Sequence, residues 1–175
     1  MKRNCILIFY LLFTVTAFSQ KKINPKIGKN ETEISSFLMA DDYLAYGVQL
    51  VYRLSVLKKL KIGVGILYGA NEEGGYISHA YGYGAMFADA QQFLGHRQKW
   101  SFGGQIGKGI YNHSYGDFKL KAGLYYSVSC NYRAIVSNKL LFNTSLFIGH
   151  RNFHYSNGNA DYNAGLVGLR FGIVL

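Results

Sequence analysis

From Phe118 to Ala134 the chain alternates without a break. Phe118, Leu120, Ala122, Leu124, Tyr126, Val128, Cys130 and Tyr132 hold one parity, and Lys119, Lys121, Gly123, Tyr125, Ser127, Ser129, Asn131 and Arg133 hold the other. A period of two is that of a β-strand, whose successive side chains leave on opposite faces, so this stretch has one apolar face and one polar or small face. It is also far longer than the ~5 or 6 residues usual for a strand of a soluble sheet. Leu60, Ile62, Val64, Ile66 and Tyr68 alternate in the same way with Lys61, Gly63, Gly65, Leu67 and Gly69. So do Trp100, Phe102, Ile106 and Ile110 with Lys99, Ser101, Gln105 and Gly109, and Val167, Leu169, Phe171, Ile173 and Leu175 with Gly168, Arg170 and Gly172.

The connections say what such strands build. Short turns are expected at 56–59, 94–98 and 137–139, and longer loops rich in Gly, Asn and Asp around 71–78, 112–117 and 156–161. Short turns at one end and longer loops at the other is the layout of an outer-membrane barrel. Counting back from the C-terminus predicts strands near 161–175, 139–155, 118–135, 99–111, 79–93, 60–70 and 43–54, with an eighth and weaker one near 31–39. Eight antiparallel strands close a sheet without edges and leave an interior that side chains fill, so the expected fold is an all-β, eight-stranded transmembrane barrel with no pore. The composition agrees: 49% hydrophobic, 21 Gly, one Pro, 15 Tyr and 12 Phe suit strands with close backbone contacts and interfacial aromatic girdles. Trp100 and the pair Tyr81 and Tyr83 are expected in such a girdle. A soluble periplasmic sandwich would need the apolar faces buried, and heat-modifiable gel mobility distinguishes the two.

The first twenty residues, MKRNCILIFYLLFTVTAFSQ, set the compartment. Lys2 and Arg3 precede an apolar run from Cys5 to Phe18, and Ala17 and Ser19 satisfy a small-x-small cleavage rule, so 1–19 reads as a secretory signal peptide cut beside Gln20. Residues 20–30 form a polar stub and 31–175 the barrel, placed in the cell outer membrane. No later apolar run reaches the ~18 residues that a membrane helix needs. With Cys5 removed only Cys130 remains, which leaves no intrachain disulfide. Removing Lys2 and Arg3 from 19 basic residues leaves 17 against 9 acidic ones, a charge of +8. A secreted basic chain points away from nucleic acid and toward an anionic membrane surface.

One segment carries chemistry. In the strand from Lys139, Leu140, Phe142, Thr144, Leu146 and Ile148 form the more apolar, lipid-facing side, and His150, Asn152, His154 and Ser156 continue that parity toward the outer rim. His154 and Ser156 are two apart, which on a strand puts their Cβ atoms ~6 to 7 Å from each other on one face. Serine is a poor nucleophile until a base takes its proton, and the base needs an orienting group. Folding the hairpin about residues 157–160 sets Asn163 across from His154 and Asp161 across from Ser156, and either can hold the imidazole tautomer. Asn157, with the flexible backbone of Gly158, can donate to a developing oxyanion.

His154-Tyr155-Ser156-Asn157, followed by a Gly/Asn turn and by Asn163-Ala164-Gly165 running into the last strand, resembles the His-x-Ser-Asn signature of the lipid A 3-O-deacylases, the PagL family of small eight-stranded outer-membrane barrels. The likeness is specific over about twenty residues. It implies Ser156 as nucleophile, His154 as general base and Asn157 as an oxyanion donor, acting on an ester-linked acyl chain of lipid A. The best-known members place a glutamate on the final strand. Here Leu166 and Val167 occupy the corresponding positions, and no glutamate follows Glu73. The third role then falls to Asn163 or Asp161, or to none, as an asparagine can orient a catalytic histidine.

Other polar residues have plainer readings. His150 and His154 lie about 13 Å apart along a strand, too far to share one ion. His150 is expected at the interface, and His79, His96 and His113 are expected solvated. Asp41-Asp42 and Glu72-Glu73 read as solvated loop tips, and the glycines at 82, 84, 107 and 109 as strand glycines. The expectation is a monomeric outer-membrane esterase whose partners are lipopolysaccharide and bilayer lipid. A Ser-His hydrolase requires no cofactor. The alternative is a non-enzymatic barrel with a structural or adhesive role.

Overall fold

The computed structural model describes residues 30–40, 44–71, 81–95, 98–114, 120–136, 140–155 and 161–175, without the side chains of 71, 81, 111–114, 120–122, 153–155 and 161–164. Residues 1–29, which hold the expected signal peptide and most of the expected stub, Asp41-Asp42, Glu72-Glu73, His79, His96 and the side chains of Tyr81 and His113 lie outside the described residues. Eight strands are present: β1 (Asn30–Ala40), β2 (Leu44–Leu57), β3 (Leu60–Asn71), β4 (Tyr81–Leu94), β5 (Trp100–Ser114), β6 (Leu120–Ile135), β7 (Leu141–Tyr155) and β8 (Asp161–Val174). Each pairs antiparallel with its sequence neighbour, and β8 pairs back to β1, so the sheet is a closed barrel without edges. The start of β1, the end of β8 and the junctions β2–β3, β4–β5 and β6–β7 fall at one end of the barrel. The strand ends that flank residues 156–160 fall at the other.

The outer wall is apolar. On β2, Leu44, Tyr46, Val48, Leu50, Tyr52 and Leu54 are all exposed. At ~3.3 Å per residue and a strand tilt of about 40°, that face climbs roughly 25 Å, the height of the apolar band of an outer-membrane barrel. The same holds for Ile62, Val64 and Ile66 on β3, Leu146 and Ile148 on β7, and Val167 and Ile173 on β8. These positions on β3, β7 and β8 follow the apolar parity read from the sequence. Trp100, 52% exposed, packs against Tyr132 with ring centroids 4.8 Å apart, at the end that carries the termini.

The interior is filled in two layers. Near the termini, Glu31, Glu33, Arg53, Lys61, Asp89 and Arg133 are buried together. Arg133 donates Nη1 to Glu31 Oε2 at 2.9 Å and Nη2 to Oε1 at 2.6 Å, a fork matched to a carboxylate. Arg53 donates Nη1 to Glu33 Oε2 at 2.6 Å and Nε to Asp89, while Lys61 pairs with Glu31. Gln105 Nε2 donates to Asp89 Oδ1 at 3.0 Å, and Tyr125 donates its hydroxyl to Gln105 Oε1 at 3.0 Å. Above this layer Phe37, Met39, Leu67, Tyr83, Phe87, Tyr125, Phe147 and Leu166 form an apolar cluster. Charges seated in a dry interior are tolerated only with such partners, and here the partners come from six strands.

Tyr83 corrects an expectation. It points into the barrel, 5% exposed, with its hydroxyl donating to Met39 Sδ at 3.7 Å and its ring under the Arg151 guanidinium at 4.6 Å. On β4 it is the inward face, with Tyr83, Phe87 and Phe93, that carries the bulk, and the outward face is Met86, Ala88 and Ala90. The outward face of β4 is still apolar, but aromatics share its inward face with the buried Asp89 and Gln91, so a large aromatic does not mark the lipid side there.

Candidate functional site

The signature segment joins β7 to β8. Along β7 the inward residues Asn143, Ser145, Phe147 and Arg151 are buried, and Leu146 and Ile148 face lipid. His150 continues the outward face, half-buried and stacked on Tyr126 of β6 with ring centroids 5.3 Å apart and planes at 27°. The β7–β8 ladder then runs without a register shift from Leu141↔Val174 to His154↔Asp161.

That register differs from the one expected by folding the hairpin about its turn. Asp161 stands opposite His154, and Asn163 stands opposite Asn152 rather than His154. The ladder is dictated from below, where Leu146 meets Leu169 and Ile148 meets Val167 on the lipid face, and the loop takes up the residues left over. Ser156, Asn157 and Gly158 lie outside the described residues, as do the side chains of His154, Asp161 and Asn163. Directly opposed residues of an antiparallel pair share a face with Cβ atoms ~4.5 to 5.5 Å apart, which sets the geometric frame for positions 154 and 161.

The other flank of β7 holds a feature that the sequence reading passed over. The β6–β7 register shifts between Ala122 and Tyr125, so Gly123 and Leu124 together oppose Asn152. A Cβ at Gly123 would stand 2.8 Å from the Asn152 carbonyl oxygen, so the bulge requires glycine there. Gly123 in the middle of an otherwise bulky run was the signal for it. Inside the wall, Arg151 covers the Tyr83 ring and Arg170 covers Phe147 at 4.7 Å, which braces the hairpin from within. The positions matching the family's glutamate are both apolar in use: Leu166 is buried in the interior and Val167 faces lipid. Among the described residues no group of three His, Cys, Asp or Glu side chains is placed to hold a metal ion.

A closed eight-stranded antiparallel barrel with a filled core and a lipid-height apolar wall is an integral outer-membrane β-barrel. Among solved structures the chain is similar to Neisserial surface protein A, with a TM-score of 0.58 at 10% identity over 83% of this chain and 94% of that one. It is also similar to a major outer membrane protein from Thermus thermophilus, with a TM-score of 0.53 at 10% identity over 84% and 98%. At such identities the likeness is one of fold. No family model matches the chain, and no curated protein does.

Proposed function

We propose that this barrel is a serine esterase that removes an ester-linked acyl chain from lipid A. The observation that supports it most directly is the unshifted ladder that pairs His154 with Asp161 at the end of β7, immediately before Ser156 and Asn157. A carboxylate opposite the histidine is what the signature otherwise lacks, since no glutamate follows Glu73. In this reading Asp161 is the orienting group, and Asn163 is not.

The steps follow from the roles. Ser156 Oγ attacks the ester carbonyl while His154 takes its proton, and Asp161 holds the imidazole in the tautomer that can accept it. Asn157, with the Gly158 backbone, donates to the oxyanion of the tetrahedral intermediate. Collapse breaks the bond to the sugar oxygen, which leaves with the proton from His154, and a fatty acyl ester remains on Ser156. Water, activated by the same histidine, then releases the free fatty acid. The substrate's chains lie along the wall formed by Leu146, Ile148 and Val167, and basic residues near the rim face its phosphates.

A non-enzymatic barrel is the second reading, favoured by Leu166 and Val167 standing where the family's glutamate would be. Mass spectrometry of lipid A incubated with the detergent-refolded protein separates the two. Loss of one acyl chain with wild type, absent with Ser156→Ala and His154→Ala, is the expected result. An unchanged spectrum from heat-modifiable protein across several lipid A types refutes the esterase.

A further inference from the structure

On the wall formed by β2 to β6, bordering β7 through Tyr126, the lipid-facing surface sinks into a depression of about 700 Å³. Two ladder rows cross it. One runs Val64, Ala88, Ile106 and the next Ile62, Ala90, Gly104, so Ala88 and Ala90 of β4 and Gly104 of β5 form its floor between taller side chains on β3, β5 and β6. The lining is almost wholly apolar. A side chain added at Gly104 would meet nothing nearer than the Ser127 carbonyl oxygen at 3.9 Å, so the space is open on the lipid side.

Directly above the floor stands Lys108. It is exposed on the outward face of β5, with Met86 and Leu124 as its ladder neighbours and Ile106 and Ile110 along its own strand. Among the residues whose side chains are described it is the one Lys, Arg, Asp or Glu exposed on the outer face of a strand, and it makes no ion pair with another of them. Eight positions beyond Trp100, at ~3.3 Å each and a tilt of about 40°, put its Cα roughly 20 Å above that ring in a band about 25 Å tall. Its stem therefore reaches the outer headgroup layer, where an ammonium is solvated or meets a phosphate.

From this pairing we infer that the β3–β6 wall carries a specific site for one anionic lipid, with its headgroup on Lys108 and an acyl chain seated over Ala88, Ala90 and Gly104. An ammonium at headgroup height selects net negative charge, and the depression beneath it takes the chain that follows. A lysine alone would attract any anionic lipid transiently, and a depression alone would take any chain. Together they retain one lipid and choose its head. The site is independent of the hairpin chemistry and stands whether or not Ser156 is a nucleophile.

Native mass spectrometry of the full chain released from nanodiscs containing equal dioleoyl phosphatidylglycerol and dioleoyl phosphatidylcholine tests it. One lipid should remain bound, with phosphatidylglycerol favoured about fivefold, the discrimination that one lysine near a membrane surface supplies. Lys108→Met should abolish the preference but keep the bound lipid. Ala90→Phe with Gly104→Leu should lose both, and heat-modifiable mobility verifies that each variant is folded. Wild type that retains no lipid, a Lys108→Met variant with unchanged preference, or a second copy of the chain in place of lipid would each overturn the inference.

Discussion

Arg53 shows how much one interior side chain holds together. It bonds Glu33 and Asp89 from a position 3% exposed, joining β1, β2 and β4 across the barrel. Replacing it with methionine leaves two buried carboxylates without the cation they share, and loss of one partner of a buried pair costs about 3 to 5 kcal/mol. Urea unfolding in lipid vesicles, followed through Trp100, should show that loss for Arg53→Met, and a change under about 1 kcal/mol would mean the network is not stabilising. Gly107 makes the opposite point about space. A Cβ there would lie 2.1 Å from the Met86 carbonyl oxygen and 2.6 Å from Phe87 Cβ, so Gly107→Ala should destabilise by about 1 to 3 kcal/mol through overpacking. Neither effect was legible in the sequence. Gly107 stood out only as a strand glycine, and nothing local distinguishes an arginine that will be paired inside from one that will be solvated.

At the scale of elements, the β7–β8 hairpin decides the candidate chemistry. With Asp161 opposite His154, an esterase should lose about 10²- to 10⁴-fold in kcat on Asp161→Asn, because the imidazole tautomer is no longer held. Asn163→Ala should stay within a few-fold of wild type. The reverse ranking, measured on released fatty acid with folded protein, would show that the register does not select the orienting group. The eight strands, and the lipid-facing parity of those that alternate cleanly, were readable beforehand, because period two is a local property of consecutive residues. The register of the last hairpin was not. A turn rich in Gly and Asn accepts several pairings, and the choice belongs to the long ladder beneath it, from Leu141↔Val174 upward.

For the whole molecule, the filled interior and the apolar wall have separate consequences. The two stacked layers, ionic near the termini and aromatic above, leave no continuous passage among the described residues, so planar-bilayer recordings of wild type should show no stepwise conductance. Steps that persist at several voltages would contradict the packing. Trp100 is the chain's one tryptophan and faces outward, so its emission should shift to the blue when the protein folds into a bilayer and be quenched by brominated lipid. An emission unchanged from the urea-unfolded chain would place that ring in water and undo the assigned orientation of β5.

What the amino-acid order determined alone is the alternation: which residues form strands, that eight of them close, and which face meets lipid wherever the alternation is clean. Each of these needs only the identity of a residue and its near neighbours. What the tertiary structure decided is everything that joins distant positions. Glu31 finds Arg133 a hundred and two residues away, Tyr83 turns inward to lie under Arg151, and Asp161 rather than Asn163 comes opposite His154. Those outcomes depend on closure, which fixes strand tilt and stagger for the barrel as a whole. No window of the sequence contains that constraint.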